Sequence, residues 1–200
     1  MCTESFWRRW GDEKVVFEKD PTSLYQIYPT TVAVIGTRYG NELNFMAAAW
    51  HTLLSFNPPI FGVSISPKRY THDLLMKSGE FTASFLDHEH AELVEKLGRT
   101  SGRRINKVLE YGLELLNPRV VKVPGVGNAV AVYECRVLES RSYGDHTFFV
   151  GRIVGLHYNP RTFDEVGRPA YDPVLYLGKD VYVKIDRFRT IEFDPEKFGK

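Results

Sequence analysis

Between residues 30 and 66 the chain strings together short β-branched runs broken by turn residues, and this pattern narrows the fold class more than any other feature. Thr30-Thr31-Val32-Ala33-Val34-Ile35-Gly36-Thr37 reads as a strand. Tyr39-Gly40-Asn41-Glu42 makes a turn, and residues 44–54 are a second extended run, so the two form a hairpin. Pro58-Pro59 closes that run, because neither proline can donate to a ladder. Ile60-Phe61-Gly62-Val63-Ser64-Ile65-Ser66 is a third strand and residues 80–86 a fourth. Residues 128–140 alternate, with Ala131, Tyr133, Cys135 and Val137 on one face and Glu134, Arg136 and Leu138 on the other. Residues 145–157 form a further strand, interrupted by Gly151 and Gly155, where glycine marks a bulge or a close approach.

Helix signals are fewer. A short helix starts at Thr71 or His72 and stops at Ser78-Gly79; a second spans residues 91–97 and stops at Gly98; a third covers residues 105–111. Strands do not alternate with long helices, and no G-x-G-x-x-G follows a strand. The expected fold is therefore mainly β, an antiparallel barrel with a few short connecting helices, and not a doubly wound sheet. One domain fits 200 residues, read as an N-terminal arm (1–24), a barrel domain (25–185) and a C-terminal extension (186–200).

Charge and cysteine content exclude several classes. A formal net charge of +1 argues against a sequence-independent grip on nucleic acid. Cys2 and Cys135 are too few for a disulfide framework or a zinc site. Phe6-Trp7-Arg8-Arg9-Trp10-Gly11-Asp12 carries charges where a signal peptide needs an apolar run, and no stretch reaches the roughly 20 apolar residues of a membrane span. A reduced, cytoplasmic protein without membrane association is the expectation. In His88-Glu89-His90 the histidines stand two apart, so they do not share a helix face and no metal site is expected.

Four blocks in order carry a family resemblance. They are Tyr28-Pro29-Thr30-Thr31-Val32-Ala33-Val34-Ile35; Asn44-Phe45-Met46-Ala47-Ala48-Ala49-Trp50 with Asn57-Pro58-Pro59-Ile60 soon after; Ser78-Gly79-Glu80-Phe81-Thr82-Ala83-Ser84-Phe85-Leu86; and Gly144-Asp145-His146-Thr147-Phe148-Phe149-Val150-Gly151. Across roughly residues 25 to 180 the chain resembles flavin reductase-like FMN-binding proteins. The resemblance implies a Greek-key-like split β-barrel, bound FMN and a homodimer, with Tyr176, Leu177 and Tyr182 as candidates for the subunit interface. It also implies an NAD(P)H-dependent flavin reductase-like oxidoreductase with a small-molecule or protein electron acceptor. A flavoredoxin-type carrier with tightly bound FMN is the alternative, and a barrel that serves only as a binding module is a third.

FMN asks for phosphate donors, polar edges and a flat slot. Ser66-Pro67-Lys68-Arg69-Tyr70-Thr71-His72-Asp73 leads from a strand into a helix, so Ser66, Lys68, Arg69 and the amides of Thr71 and His72 are phosphate candidates. Read from residues alone, this segment also suits a solvated turn. In the resemblance the second run lies beside the flavin: Asn44, Ala47, Ala48, Ala49, Trp50 and His51 are candidates there, with Ser64 on the next strand. The alanines leave room for a flat ring, or equally for tight packing, and Trp50 also suits a core or interface position. Phe81 and Ser84 lie on the fourth strand, and Ser84 either meets the ligand or pairs with backbone. His146 is the catalytic candidate. Arg103 and Lys107 are candidates for contacting a nicotinamide substrate, or form an exposed basic loop.

Overall fold

The computed structural model describes residues 18–185; the C-terminal extension 186–200, Cys2 and most of the arm 1–24 lie outside the described residues. Twelve strands are found among them, and seven make the main antiparallel sheet. These seven are β2 (Ala33–Tyr39), β3 (Glu42–Ala48), β4 (His51–Phe56), β5 (Pro59–Ile65), β6 (Glu80–Phe85), β9 (Ala131–Tyr143) and β10 (His146–Tyr158). Their order is β3-β2-β6-β9-β10-β5-β4, the curled sheet of a split barrel. A small sheet of β1 (Thr30–Thr31), β11 (Leu175–Gly178) and β12 (Val181–Val183) lies beside it, and β7 (Leu115–Leu116) pairs with β8 (Gly125–Val126).

The hydrophobic pattern accounts for the two-sided core. Residues 32–35 are apolar without alternation because β2 is buried on both faces. Ala33 and Ile35 enter the barrel interior with Phe61, Val63, Phe81 and Phe149, while Val32 and Val34 face Phe45, Leu86, Val94 and Leu97 outside it. The phenylalanines Phe45, Phe61, Phe81 and Phe149 are among the largest fully buried side chains. At about 2–3 kcal/mol for each such side chain, they outweigh any single polar contact in the sheet.

Three helices connect the strands: α1 (Tyr70–Ser78), α2 (Ala91–Arg99) and α3 (Lys107–Glu110). α1 stops at Gly79, as the sequence predicts, whereas α2 runs through Gly98 to Arg99. The glycines of β10 fall beside two shifts in its register with β9, between Val150 and Gly151 and between Ile153 and Gly155.

Residues 44–54 do not form one strand. The chain bends at Ala49 and Trp50, because β3 pairs with β2 at one end of the sheet order and β4 with β5 at the other. A hydrogen bond from the Ser64 amide to the Trp50 carbonyl, 2.8 Å, fixes the bend. On the outer face, residues 119–126 are clipped to the sheet by side chains. Glu134 accepts the amides of Arg119, Val120 and Val121 at 2.7, 2.7 and 2.8 Å. Glu80 accepts the Lys122 amide, Thr82 donates to the Pro124 carbonyl, and Ser84 accepts the Val126 amide.

Candidate functional site

The bend between β3 and β4 opens onto the main cavity, about 400 Å³ in volume. Residues 46–50 form one wall and residues 64–66, at the end of β5, another. Arg69, His146 and Tyr176 complete it, together with Tyr25, Tyr28 and the end of the arm, residues 22–24. Ala47, Ala48 and Ala49 leave the first wall nearly flat, so a planar ring can approach the backbone there. The Trp50 indole donates to the Tyr28 hydroxyl at 2.9 Å and lies 4.7 Å, centre to centre, from the His146 ring. His146 Nδ1 and Asp145 Oδ1 are 2.7 Å apart, and the imidazole holds the Asp145 carboxyl below its usual range. That contact fixes the ring and leaves Nε2 as the atom available for a proton.

Arg69 also lines a smaller cavity of about 100 Å³, with Asn44, Lys68, Thr71, Gly102 and Lys107. The amino terminus of α1 has no side-chain cap, so the Tyr70 and Thr71 amides remain available to an anion. Asn44 is buried; its Nδ2 donates to Thr71 Oγ1 at 2.7 Å, and its Oδ1 has no partner. Gly102 packs directly on this amide, where a Cβ would lie 2.1 Å from Oδ1. Lys107 is also buried: its Nζ donates to the carbonyls of Phe45 and Leu97, both at 2.7 Å. Burial, reinforced by the positive charge of Arg69, pulls the Lys107 pKa down to about 8. An ammonium has three donors, so one N–H of Lys107 is left over.

The structure therefore gathers Ala47, Ala48, Ala49, Trp50, Ser64, Ser66, Arg69 and His146 around the main cavity, and Asn44, Lys68, Arg69, Thr71 and Lys107 around the smaller one. Other candidates point elsewhere. The His72 amide donates to the Arg69 carbonyl, and its ring reaches Thr147 at 3.0 Å, so neither is free for a phosphate. His51 contacts the Thr31 carbonyl and stacks on Phe61. Phe81 is sealed in the barrel core, and the Ser84 hydroxyl is taken by Val126. Arg103 pairs with Asp73 across the Tyr70 ring, and Lys107 is buried instead of lying in an exposed basic loop. Tyr176 and Tyr182 pack on each other, and Tyr182 donates to Glu95, so both rings serve this chain's own packing.

Sequence reasoning missed Met46 and Ile65, whose strands it had found, and the aromatic wall of Tyr25 and Tyr28. The tyrosines just ahead of the first strand were the available signal. Among the described residues no group of three or more His, Cys, Asp or Glu could hold a metal ion, and no helix is long and apolar enough to cross a membrane.

The flavin reductase like domain family matches residues 24–184. A protein of Pyrococcus abyssi is 40% identical over 143 residues, 72% of this chain and 81% of its own length. An FMN-binding protein of Thermus thermophilus, whose crystal structure holds 1-cyclohex-2-enone, is 39% identical with a TM-score of 0.78, covering 86% of this chain and 95% of its own. The flavoredoxin of Desulfovibrio vulgaris is 25% identical with a TM-score of 0.76, covering 90% of this chain and 100% of its own.

Proposed function

The chain belongs to the flavin reductase-like family, and on that premise we propose that it holds FMN and passes reducing equivalents from a reduced pyridine nucleotide to an acceptor. One observation carries the reading: an uncapped helix start flanked by Lys68, Arg69 and Lys107 adjoins a flat-walled cavity at the β3–β4 bend. The donor set suits FMN, whose phosphate wants cations and amides and whose ring wants a slot without side chains.

Arg69 and Lys68 would hold the phosphate, with the first amides of α1 and the spare N–H of Lys107. Asn44 and Thr71 brace that corner through their hydrogen bond. Met46, Ile65 and residues 47–49 would flank the ring. When bound, FMN supplies the acceptor for hydride and the store for electrons. The chain's own part is to orient, to exclude water and to hold a proton. Tyr25, Tyr28, Trp50 and Tyr176 wall off solvent, and His146 Nε2, its ring steadied by Asp145, holds or accepts a proton at the cavity wall. Flat carbonyl compounds, of the kind the Thermus protein holds, are candidate acceptors for this cavity.

A carrier role is the second reading. The likeness to flavoredoxin supports it, and so does an apolar rim at the cavity, with Leu24 and Trp50 exposed. The same reasoning favours a homodimer, since β4 is an edge strand bearing exposed Leu53, Leu54 and Phe56.

The test is an absorbance scan of the pure protein, followed by anaerobic mixing with NADH or NADPH. A flavin spectrum that bleaches rapidly supports the reductase; a flavin spectrum that persists supports the carrier. A colourless protein that fails to quench added FMN refutes both.

A further inference from the structure

The Tyr28 hydroxyl is aimed by its neighbours. An indole can only donate, so in the 2.9 Å bond to Trp50 the phenol oxygen is the acceptor. The phenol's own proton then has no acceptor among the described residues, and Tyr28 lines the main cavity. Its ring is held edge-on between Tyr25, 5.2 Å away, and Tyr176, 5.9 Å away. Tyr176 in turn is registered opposite Thr30 in the small sheet. Accepting from the indole also polarises the O–H towards donating, because successive hydrogen bonds reinforce one another.

The same indole lies against His146, 4.7 Å between ring centres. Trp50 thus braces two side chains that reach the cavity with a polar atom to spare: Tyr28 through its O–H, and His146 through Nε2, since Asp145 takes Nδ1. No carboxylate lines this cavity among the described residues, and Arg69 is its one permanent charge. In the flavin reading the phosphate engages Arg69. What remains is a slot with a flat alanine wall, an aromatic rim and an aimed hydroxyl. A cationic ligand finds no counter-charge there. A flat, neutral molecule with oxygen acceptors on its edge meets a donor without losing a charge from water.

We propose that Tyr28 is a catalytic proton donor to the electron acceptor, and that the acceptor is a small quinone. The inference rests on the flavin reading of the main cavity. Quinones are planar and uncharged, and their oxygens become strong acceptors as electrons arrive. Their two-electron reduction also needs one proton beyond the hydride, and that proton is what Tyr28 carries.

The step balances. Two electrons and a proton reach the quinone as hydride, drawn from a reduced pyridine nucleotide by way of the flavin. The second proton passes from the Tyr28 O–H to the quinone oxygen that gains charge. The phenolate left behind recovers a proton from water at the cavity mouth, where Trp50 and Leu24 are exposed. Both C=O groups end as C–O–H, so the quinone is reduced to hydroquinone and the pyridine nucleotide is oxidised.

The discriminating variant is Tyr28→Phe, which keeps the ring between Tyr25 and Tyr176 and removes only the hydroxyl. FMN is titrated into the flavin-free chain by fluorescence quenching, and duroquinone (tetramethyl-1,4-benzoquinone) into the oxidised, FMN-loaded chain by calorimetry. The substitution is expected to leave FMN within about twofold and to weaken duroquinone about fivefold or more. The loaded chain is then reduced with dithionite and mixed anaerobically with duroquinone or with ferricyanide, which takes electrons singly and needs no proton. Oxidation by duroquinone is expected to slow about tenfold or more, and oxidation by ferricyanide less than about twofold. Unchanged affinity and rate with duroquinone refute Tyr28 as the donor, and so does equal slowing with both oxidants. If the FMN-loaded parent chain neither binds duroquinone nor is oxidised by it, the quinone is refuted while the flavin reading stands. If the parent chain binds no FMN, the flavin reading falls and this inference with it.

Discussion

Replacing Glu134 with glutamine tests how the outer loop is held. Burial alone would push this carboxyl up. The amides of Arg119, Val121 and Val120 and the His157 ring, 2.5 Å away, overcome burial and bring its pKa from 4.5 to about 2. At about 1.4 kcal/mol per pH unit, that fall corresponds to about 3 kcal/mol of folding stability. Because the folded pKa lies below the unfolded one, the contribution is complete above pH 4.5 and fades as pH falls towards 2. Glutamine keeps one acceptor oxygen but turns an amino group towards backbone amides, which strands buried donors. Urea unfolding at pH 7 is expected to show Glu134→Gln about 3 kcal/mol less stable than the parent chain, and the gap should shrink to about half at pH 3. Other carboxylates titrate in both proteins and cancel in the difference. Equal stability at pH 7, or a gap that ignores pH, refutes the reasoning. Flavin affinity should not change, because the clipped loop lines neither the main nor the smaller cavity.

Further outcomes bear on the site. The double substitution Lys68→Ala and Arg69→Ala should weaken FMN by well over tenfold, about 1.4 kcal/mol per decade, in a fluorescence titration; unchanged affinity removes the phosphate from that turn. Lys107 is charged below its pKa of about 8, so FMN affinity should decline as pH rises through 8, and Lys107→Met should abolish that pH dependence. In the flavin-free chain the unfolded lysine binds more protons between pH 8 and 10.5, so stability contributed by this group should rise across the window. Gly102→Ala pushes a methyl into the Asn44 amide and should cost about 1–3 kcal/mol in urea unfolding; a neutral result means the loop yields. His146→Ala should retain FMN within a few-fold while slowing flavin bleaching by NADH about tenfold or more, read by anaerobic stopped flow.

Most strands were legible because their residues are β-branched and their turns carry glycine or proline. The bend at Ala49 and Trp50 was not, since Ala-Ala-Ala-Trp-His breaks no local rule and only the pairing of β3 and β4 with opposite ends of the sheet forces it. Glu134 was correctly assigned to the face opposite Cys135, yet it is fully buried, because the loop that covers it arrives from residues 119–121 and leaves no periodic trace. Residues 47–50, Ser66 and Arg69 could be found because they are adjacent in sequence to the bend or to the helix start. The burial of Lys107 was not legible, because a short basic loop resembles surface until β3 and α2 offer it two carbonyls. Ser84 and His72 each have a polar partner within the fold, Val126 and Thr147, that sequence separation conceals; for Ser84 this is the backbone pairing that was one of its two readings.

Consecutive strands joined by two residues normally zip together, but β3 and β4 each keep one flank without a ladder partner in the main sheet. The barrel wall is thus a ribbon whose ends meet without fastening. Main-chain groups along such a gap can grip a guest without any ladder having to break first, and water can replace the guest when it leaves. Recognition of this sort depends little on which small side chain stands at positions 47, 48 and 49. Exchanges among alanine, serine and threonine there should therefore alter affinity far less than a change in the length of the Ala49-Trp50 link.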